Sequence, residues 1–204
     1  MIINKIEKQE ATELAAKLSA KLCKDPMFMY LCPVISDRQQ FINVFFNYYL
    51  YEWADCDTLL CNDDKTALVT LINPRTFEYR FKGKGAHALK KQKTAHFIFD
   101  HRETVRNIVH IVAPGTMNPR VLTVYANTDT DLAAVSALID EAVQIANENN
   151  LTLVYESFSQ RLIELMENKG FSIAYQRRYG DTQFIQTLMT YSCFHKAPKS
   201  DEIV

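Results

Sequence analysis

Residues 121–157, VLTVYANTDTDLAAVSALIDEAVQIANENNLTLVYES, decide how this chain folds. The apolar runs at 121–126 and at 151–157 are each typical of a buried strand. Between them, from about Thr130 to Asn149, the apolar residues keep mostly to one side of a helix. A strand, a helix and a second strand in this order predict a βαβ unit within a mixed α/β sheet.

Other predicted elements surround this unit. Those before it are a strand within 2–7, a helix at 11–23 that Asp25-Pro26 ends, a second helix capped by Ser36-Asp37 and running to about Asp55, and a hairpin that turns around Asp63-Asp64. Those after it are a helix at 160–169 closed by Gly170 and two strands within 171–176 and 183–192. Residues 75–120 form an insertion with a helix near 101–112. We therefore expect a single domain over 1–195 and a flexible tail at 196–204.

Composition excludes several classes of protein. With 204 residues, 48% of them hydrophobic, the chain is long and apolar enough to fold without disulfides or a metal. A net charge of −1 argues against a nucleic-acid binder. The most apolar stretch, 41–53, is too short and too polar to span a membrane, and the N-terminus lacks the apolar core of a signal peptide. The five cysteines form no CxxC pair, which favours reduced thiols in a cytoplasmic protein.

Three stretches carry a family resemblance: 25–31 reads DPMFMYL, 121–157 is the βαβ unit, and 165–171 reads LMENKGF. Together they resemble the GNAT superfamily of acyl-CoA N-acyltransferases over nearly the whole chain. The resemblance implies a mixed, mostly antiparallel central sheet flanked by helices, with central strands that splay apart. It also implies that acetyl-CoA, or another acyl-CoA, lies in the notch between those strands as a co-substrate.

Two segments compete for the cofactor's pyrophosphate. The family loop reads Q/R-x-x-G-x-G/A, and Arg80–Gly85 reads RFKGKG. However, the family places about 35 residues between its loop and the GF motif, and this spacing favours 126–135, where Ala133 and Val135 replace the two glycines. The replacement of both glycines fits the composition of the chain. Glycine makes up only 5 of the 204 residues, a smaller share than the roughly 7% of an average chain. If the basic Arg80–Gly85 stretch does not bind the pyrophosphate, it is a solvated loop, a lid or a contact for an anionic group.

The favoured register implies a set of cofactor-binding residues. Backbone of Val124, Tyr125 and Ala126 would hold the pantetheine, and N–H groups of Leu132, Ala133, Ala134 and Val135 would hold the pyrophosphate. Asp129 and Asp131 flank the start of that helix, where carboxylates are good caps. Their charge would also repel a pyrophosphate.

The catalytic residues are less defined. Glu156 ends a strand on the side where such sheets bind ligands, so it is either a general base, a group that binds a cationic amine, or a solvated carboxylate. Tyr125 either contacts the substrate or packs in the core. The family often has a tyrosine that protonates the leaving thiolate, and Met166 stands at its position. A methionine cannot donate a proton and is typical of a core.

Other side chains give weaker signals. His110 is a possible base or a structural histidine. His96 and His101 lack the spacing of a ligand pair, so we expect no metal. The aromatic residues of the second helix either line a pocket for an apolar or aromatic amine or form core and a self-association surface, which leaves a homodimer possible. They are Phe45, Tyr48, Tyr49 and Trp53.

Two functions fit these observations. The first is an N-acetyltransferase that moves an acyl group from acyl-CoA to a small-molecule amine, with Glu156 as the base. The second is a GNAT-fold module without catalysis that binds a ligand or a partner. The altered loop favours the second, and the overall order of elements does not separate them.

Overall fold

A computed structural model describes residues 2–3, 6–56, 58–74, 107, 109–113, 115–116, 118–178 and 185–192. Side chains at 2–3, 27, 30–31, 48 and 51–56 are outside that description. Several predicted features also lie outside the described residues: most of the 75–120 insertion with its Arg80–Gly85 motif, His96, His101 and the 196–204 tail.

The helices and strands follow the predicted order with adjusted ends. The strands are β1 (Ile2–Ile3), β2 (Thr58–Cys61), β3 (Ala67–Ile72), β4 (Pro119–Ala126), β5 (Thr152–Ser157), β6 (Ser172–Arg178) and β7 (Ile185–Ser192). The helices are α1 (Lys8–Lys21), α2 (Pro26–Leu31), α3 (Ile35–Cys56), α4 (Leu132–Glu148) and α5 (Gln160–Asn168). A 3₁₀ turn at Leu22–Lys24 links α1 to α2. Among the described parts of the insertion, 109–112 is helical.

The strands form one seven-stranded sheet in the order β1-β2-β3-β4-β5-β7-β6. The β4–β5 pair is parallel, and the other described pairs are antiparallel. The mixed, mostly antiparallel sheet expected from the sequence is therefore confirmed. The parallel pair is joined by α4, as a crossover between parallel strands requires.

The sheet lies between two layers of helices. On one face, Leu14, Leu18 and Phe46 of α1 and α3 pack in a cluster that includes Tyr125 and Val154 of the sheet. On the other face, helices α4 and α5 pack against Leu122, Leu153 and Tyr155 in a second cluster. Neighbouring residues of β4 and β5 belong to different clusters because successive side chains of a strand point to opposite faces.

Two helix starts differ from the sequence expectation. Asp25-Pro26 does not simply end a helix, because Pro26 is the first residue of the six-residue α2. Proline suits this position, where the missing N–H costs nothing. The Asp25 carboxylate accepts from the Phe28 N–H at 3.4 Å and so caps α2. The expected Ser36-Asp37 cap is wrong, because α3 begins at Ile35 and places both residues in its first turn.

A buried arginine fixes the segment around α2. Arg38 is 6% exposed and its guanidinium donates to three backbone carbonyls, those of Cys23, Cys32 and Pro33, at 2.7, 2.8 and 3.0 Å. These acceptors lie on both sides of α2. The side chain therefore ties the two ends of the segment that carries Asp25 to α3.

Smaller features follow the sequence more closely. The β2–β3 hairpin turns at 63–64 as expected, and Gly170 ends α5 with a positive φ of 89°. The first strand, Ile2–Ile3, lies within 2–7 as expected, and β4 begins two residues earlier than 121. Cys23, Cys32 and Cys61 are free thiols. No helix in the described part of the chain is long and apolar enough to cross a membrane.

Candidate functional site

The central feature of the sheet is an opening between β4 and β5. Their parallel register ends where Leu122 meets Tyr155. Both strands continue beyond it: β4 stays paired with β3 as far as Ala126, and Glu156 and Ser157 of β5 stay paired with β7. Each strand thus follows its outer neighbour, and a notch opens between 123–126 and 156–157. The splayed strands expected from the sequence are confirmed.

Helix α4 starts directly beside this notch. A turn at 127–130 links it to β4, and the Asn127 carbonyl accepts from the N–H groups of Thr130 and Asp131 at 3.2 and 2.8 Å. The Val135 N–H already donates to the Asp131 carbonyl at 3.0 Å. The first N–H groups of a helix have no acceptor within it, and in α4 these are the N–H groups of Leu132, Ala133 and Ala134. Of the four predicted phosphate donors, Val135 is therefore engaged in the helix.

The Asp131 side chain does not cap α4, contrary to expectation. It turns away and accepts from Lys21 Nζ at 2.8 Å, Thr66 Oγ1 at 2.9 Å and Thr130 Oγ1 at 2.9 Å. Burial acts to raise the pKa of Asp131, but these hydrogen bonds outweigh it and the net pKa is lowered. The side chain is only 12% exposed. Asp131 therefore links α4 to α1 and to the β2–β3 hairpin.

Asp129 is also paired. Its carboxylate accepts from Arg161 Nη1 at 3.0 Å, and both side chains are largely exposed. Each carboxylate expected to repel a pyrophosphate thus has a cation beside it, Lys21 for Asp131 and Arg161 for Asp129. The local charge at the start of α4 is closer to neutral than the sequence alone suggests.

Glu156 lies at the opposite side of the notch, on β5. It is half-buried and accepts a hydrogen bond from Gln186 Nε2 of β7. Because 154 and 156 share a face of the strand, Glu156 lies on the side of the sheet that carries α1 and α3. A carboxylate at this position can take a proton from, or bind, a group in the notch.

Tyr125 faces the same helices from β4. It is 4% exposed and packs against Phe46, Phe45 and Phe28, with ring centroids 5.0, 6.1 and 6.2 Å apart. Burial, followed by Tyr49 and nearby carboxylates, raises its pKa well above the usual range. The Tyr125 ring therefore packs in the core beside the notch.

Asp25 is a residue that sequence reasoning did not assign to the site. It and Glu156 both lie within electrostatic range of Tyr125 and Tyr155, and both act to raise the pKa of each phenol, with burial as the largest cause. Both carboxylates therefore add negative charge to the surroundings of these two tyrosines. The available signal was the DP turn itself, which sequence reasoning treated as a helix end and as part of a family resemblance.

The other predicted site residues differ in how deeply their side chains are buried. Met166 is fully buried, in the cluster under α4 and α5. Phe45 and Tyr49 are 6% and 2% exposed and pack with ring centroids 4.4 Å apart, so they belong to the core. His110 is exposed. The side chains of Tyr48 and Trp53 lie outside the description.

Metal-ligating side chains do not cluster in the described part of the chain: no group of three or more His, Cys, Asp or Glu there is arranged to hold an ion. The features that remain at the notch are backbone amides, the Glu156 carboxylate and a helix N-terminus. This set suits an anionic ligand on the α4 side and a cationic group on the Glu156 side.

Solved structures share this fold. A C-terminal condensation domain of Ebony, in complex with beta-alanyl-dopamine, superimposes with a TM-score of 0.63 at 12% identity, over 94% of this chain and 98% of that one. An acetyltransferase of the GNAT family from Streptococcus pneumoniae does so with a TM-score of 0.50 at 14% identity, over 94% and 98%. This chain has a GNAT-like fold. No protein-family model and no curated protein sequence matches it.

Within the GNAT-like fold, the splayed strands are β4 and β5 and the helix after the first of them is α4. The segment 126–135 therefore lies between the splayed strand and the first turn of α4, at the place that the spacing to Gly170 favours for the phosphate loop. The assignment of Val124 to Ala126 and Leu132 to Val135 as cofactor-binding residues stays a prediction, as does that of Glu156.

Proposed function

We propose that this chain is an N-acyltransferase that moves an acyl group from acyl-CoA to a small-molecule amine. The observation that carries the proposal is the notch, because it brings the end of β4, the N-terminus of α4 and the Glu156 carboxylate to one place. An acyl thioester with an anionic tail fits the amide-lined side, and an amine fits the acidic side.

The donor's polar parts would bind along backbone groups. The pantetheine would lie against Val124, Tyr125 and Ala126, where β4 no longer pairs with β5. The pyrophosphate would accept from the first N–H groups of α4, which also carry the positive end of the helix dipole. The pairing of Asp129 with Arg161 and of Asp131 with Lys21 supports this binding, because it offsets two charges that would oppose it.

The reaction then needs one proton acceptor. Glu156 would take a proton from the ammonium form of the acceptor, and the amine lone pair would attack the thioester carbon. The C–N bond forms, the C–S bond breaks through a tetrahedral oxyanion, and the thiolate leaves as CoA. After the attack the nitrogen still carries a surplus proton, and this proton would pass through water to the leaving thiolate, since Met166 has none to donate.

The acidic side supports a cationic acceptor. Glu156 borders the notch and Asp25 lies within electrostatic range of Tyr125 and Tyr155, and carboxylates stabilise an ammonium group by Coulomb attraction. The Ebony domain is solved with beta-alanyl-dopamine, whose name describes an acylated amine. Free thiols at Cys23, Cys32 and Cys61 suit a reducing compartment, so we place the reaction in the cytoplasm.

Release of free CoA thiol tests the proposal. Acetyl-CoA is incubated with a panel of primary amines, aromatic and aliphatic, and at least one should support saturable thiol release. Glu156→Gln should then lower kcat/KM by about 10²–10⁴-fold, the usual contribution of a positioned base. Glu148→Gln, at the exposed far end of α4, is the matched control and should leave turnover unchanged.

A non-catalytic ligand-binding module is the second candidate. It is favoured by the buried Met166 at the acid position and by Ala133 and Val135 where the family loop has glycine. If acetyl-CoA binds but no amine in the panel releases thiol, the enzyme proposal is wrong and this alternative stands.

A further inference from the structure

A row of three polar side chains crosses the sheet beside the notch. Arg177 of β6 lies directly opposite Gln186 of β7, and Gln186 is two residues along β7 from Leu188, the residue opposite Glu156 of β5. Gln186 Oε1 accepts from Arg177 Nε at 2.6 Å, and Gln186 Nε2 donates to Glu156 Oε1. The row therefore runs from the exposed edge strand to the notch.

Gln186 is an unusual residue for its place. It is fully buried, between Arg177 and Glu156, on the face that Leu188 shares with the α1–α3 core. A buried amide is costly unless its donor and acceptor are both satisfied. Here the orientation is fixed by chemistry: a guanidinium can only donate, so it must meet the amide oxygen, and the carboxylate must meet the amide nitrogen.

The amide thus stands with its dipole aligned between a cation and an anion. Both of its hydrogen bonds are charge-assisted, and such bonds are stronger and more directional than neutral ones. With Oε1 held by Gln186, the Glu156 carboxylate cannot turn freely about its last bond. An apolar residue would fill the same volume at lower cost, so packing alone does not explain a glutamine here.

We propose that Gln186 and Arg177 are positioning residues that hold the Glu156 carboxylate toward the notch. This inference rests on the proposed function, since it assigns Glu156 a role in the reaction. Arg177 orients the Gln186 amide, and Gln186 orients Glu156; neither touches the substrate. Small misplacements of a reacting group are costly, since an error of about 1 Å can lower a rate about 100-fold.

The kinetic test compares Gln186→Leu with Gln176→Leu. Gln176 is the matched control, because its amide also bridges β6 and β7, to Thr187 Oγ1 at 3.0 Å. Gln186→Leu should lower kcat by up to about 100-fold, with KM for acetyl-CoA unchanged. It should have no further effect in a Glu156→Gln background. Equal kcat in the wild type and Gln186→Leu would overturn the inference and leave the proposed function standing.

Arg177 gives a second test that does not depend on a buried substitution. Arg177→Ala should lower kcat in the same direction as Gln186→Leu, and Arg177→Lys should restore part of it, because the ammonium can still donate to Gln186. The neighbouring Arg178→Ala is the control. If Arg177→Ala and Arg178→Ala have the same kcat, Arg177 does not help to position Glu156.

The contact is also measurable without turnover. In a ¹⁵N-labelled protein, the side-chain amide signal of Gln186 should exchange slowly with water and should move on Glu156→Gln substitution, whereas the Gln176 signal should not move. If no amine supports thiol release, the proposed function fails and this signal alone decides the contact. A Gln186 signal unchanged by Glu156→Gln would overturn the inference.

Discussion

Replacing Arg38 with lysine should destabilise this protein far more than a conservative substitution usually does. The guanidinium donates to three carbonyls at 2.7–3.0 Å and is 6% exposed. A lysine keeps the charge, but a single ammonium cannot reach all three acceptors, which lie in different directions around a planar fork. We therefore expect at least one hydrogen bond to be lost and the other two to be distorted.

The size of the effect follows from these bonds. A hydrogen bond to a charged group contributes about 1.5–3 kcal/mol net, and carbonyls left without a donor add a desolvation cost unless water reaches them. Because Pro33 is exposed, part of that cost is recovered. We expect Arg38→Lys to lower the free energy of unfolding by about 2–4 kcal/mol, and Arg38→Met by about 3–5 kcal/mol.

Urea unfolding followed by circular dichroism measures this difference. For a domain of this size, a loss of about 3 kcal/mol also lowers Tm by about 6–12 °C. Arg161→Lys is the matched control: its ion pair with Asp129 is exposed, so the change should be below about 0.5 kcal/mol. If Arg38→Lys unfolds at the same urea concentration as the wild type, the hydrogen bonds from Arg38 to the backbone around α2 do not contribute to stability.

Two further predictions concern the elements around the notch. Because hydrogen bonds lower the pKa of Asp131, its ionised form stabilises the fold, and that contribution is present above the ordinary pKa of 3.8 and is lost as pH falls through the lowered value. Asp131→Asn should therefore unfold more easily than the wild type at pH 7 and show a smaller difference below pH 3.8; a difference independent of pH would contradict the linkage. Gly170→Ala should cost about 1–2 kcal/mol in thermal or urea unfolding, since φ is 89° while the added Cβ would meet Tyr191 at an ordinary 3.5 Å. An unchanged stability would mean that the turn after α5 relaxes freely.

Periodicity and spacing were enough to predict the middle of the fold. The apolar stripe of α4 and the two apolar runs on either side of it predict β4, α4 and β5 because a helix and two strands of that length can bury those faces only against one another. The glycine at 170 marked the end of α5 for a local reason, its positive φ.

What the sequence did not reveal depends on distant contacts. Asp131 was expected to cap α4, but its partner Lys21 is 110 residues away along the chain, and no local pattern announces that pairing. Likewise α2 is only six residues long and has too few residues to be stable alone. It depends on the Asp25 cap and on the hydrogen bonds from Arg38 to the backbone on both sides of it.

The candidate site was predicted in outline and not in detail. Glu156 was singled out because a strand end in such a sheet is a common ligand position. Its partner Gln186 was not, because a glutamine within an apolar strand carries no signal until the neighbouring strands are known. The sequence also left undecided whether Phe45 and Tyr49 pack in the core or line a pocket, since aromatic residues in either role have the same helical spacing.

Binding of acetyl-CoA, measured by isothermal titration calorimetry, tests the central claim that the notch and the start of α4 receive an acyl-CoA. The most informative variant is Ala133→Glu, because a carboxylate in the first turn suits the helix dipole but repels a pyrophosphate. Ala137→Glu, one turn later on the same exposed face, is its matched control. We predict saturable 1:1 binding that Ala133→Glu weakens at least about tenfold, a loss of about 1.4 kcal/mol, and that Ala137→Glu leaves unchanged. No heat of binding at millimolar acetyl-CoA, or equal affinity in both variants, would contradict the account.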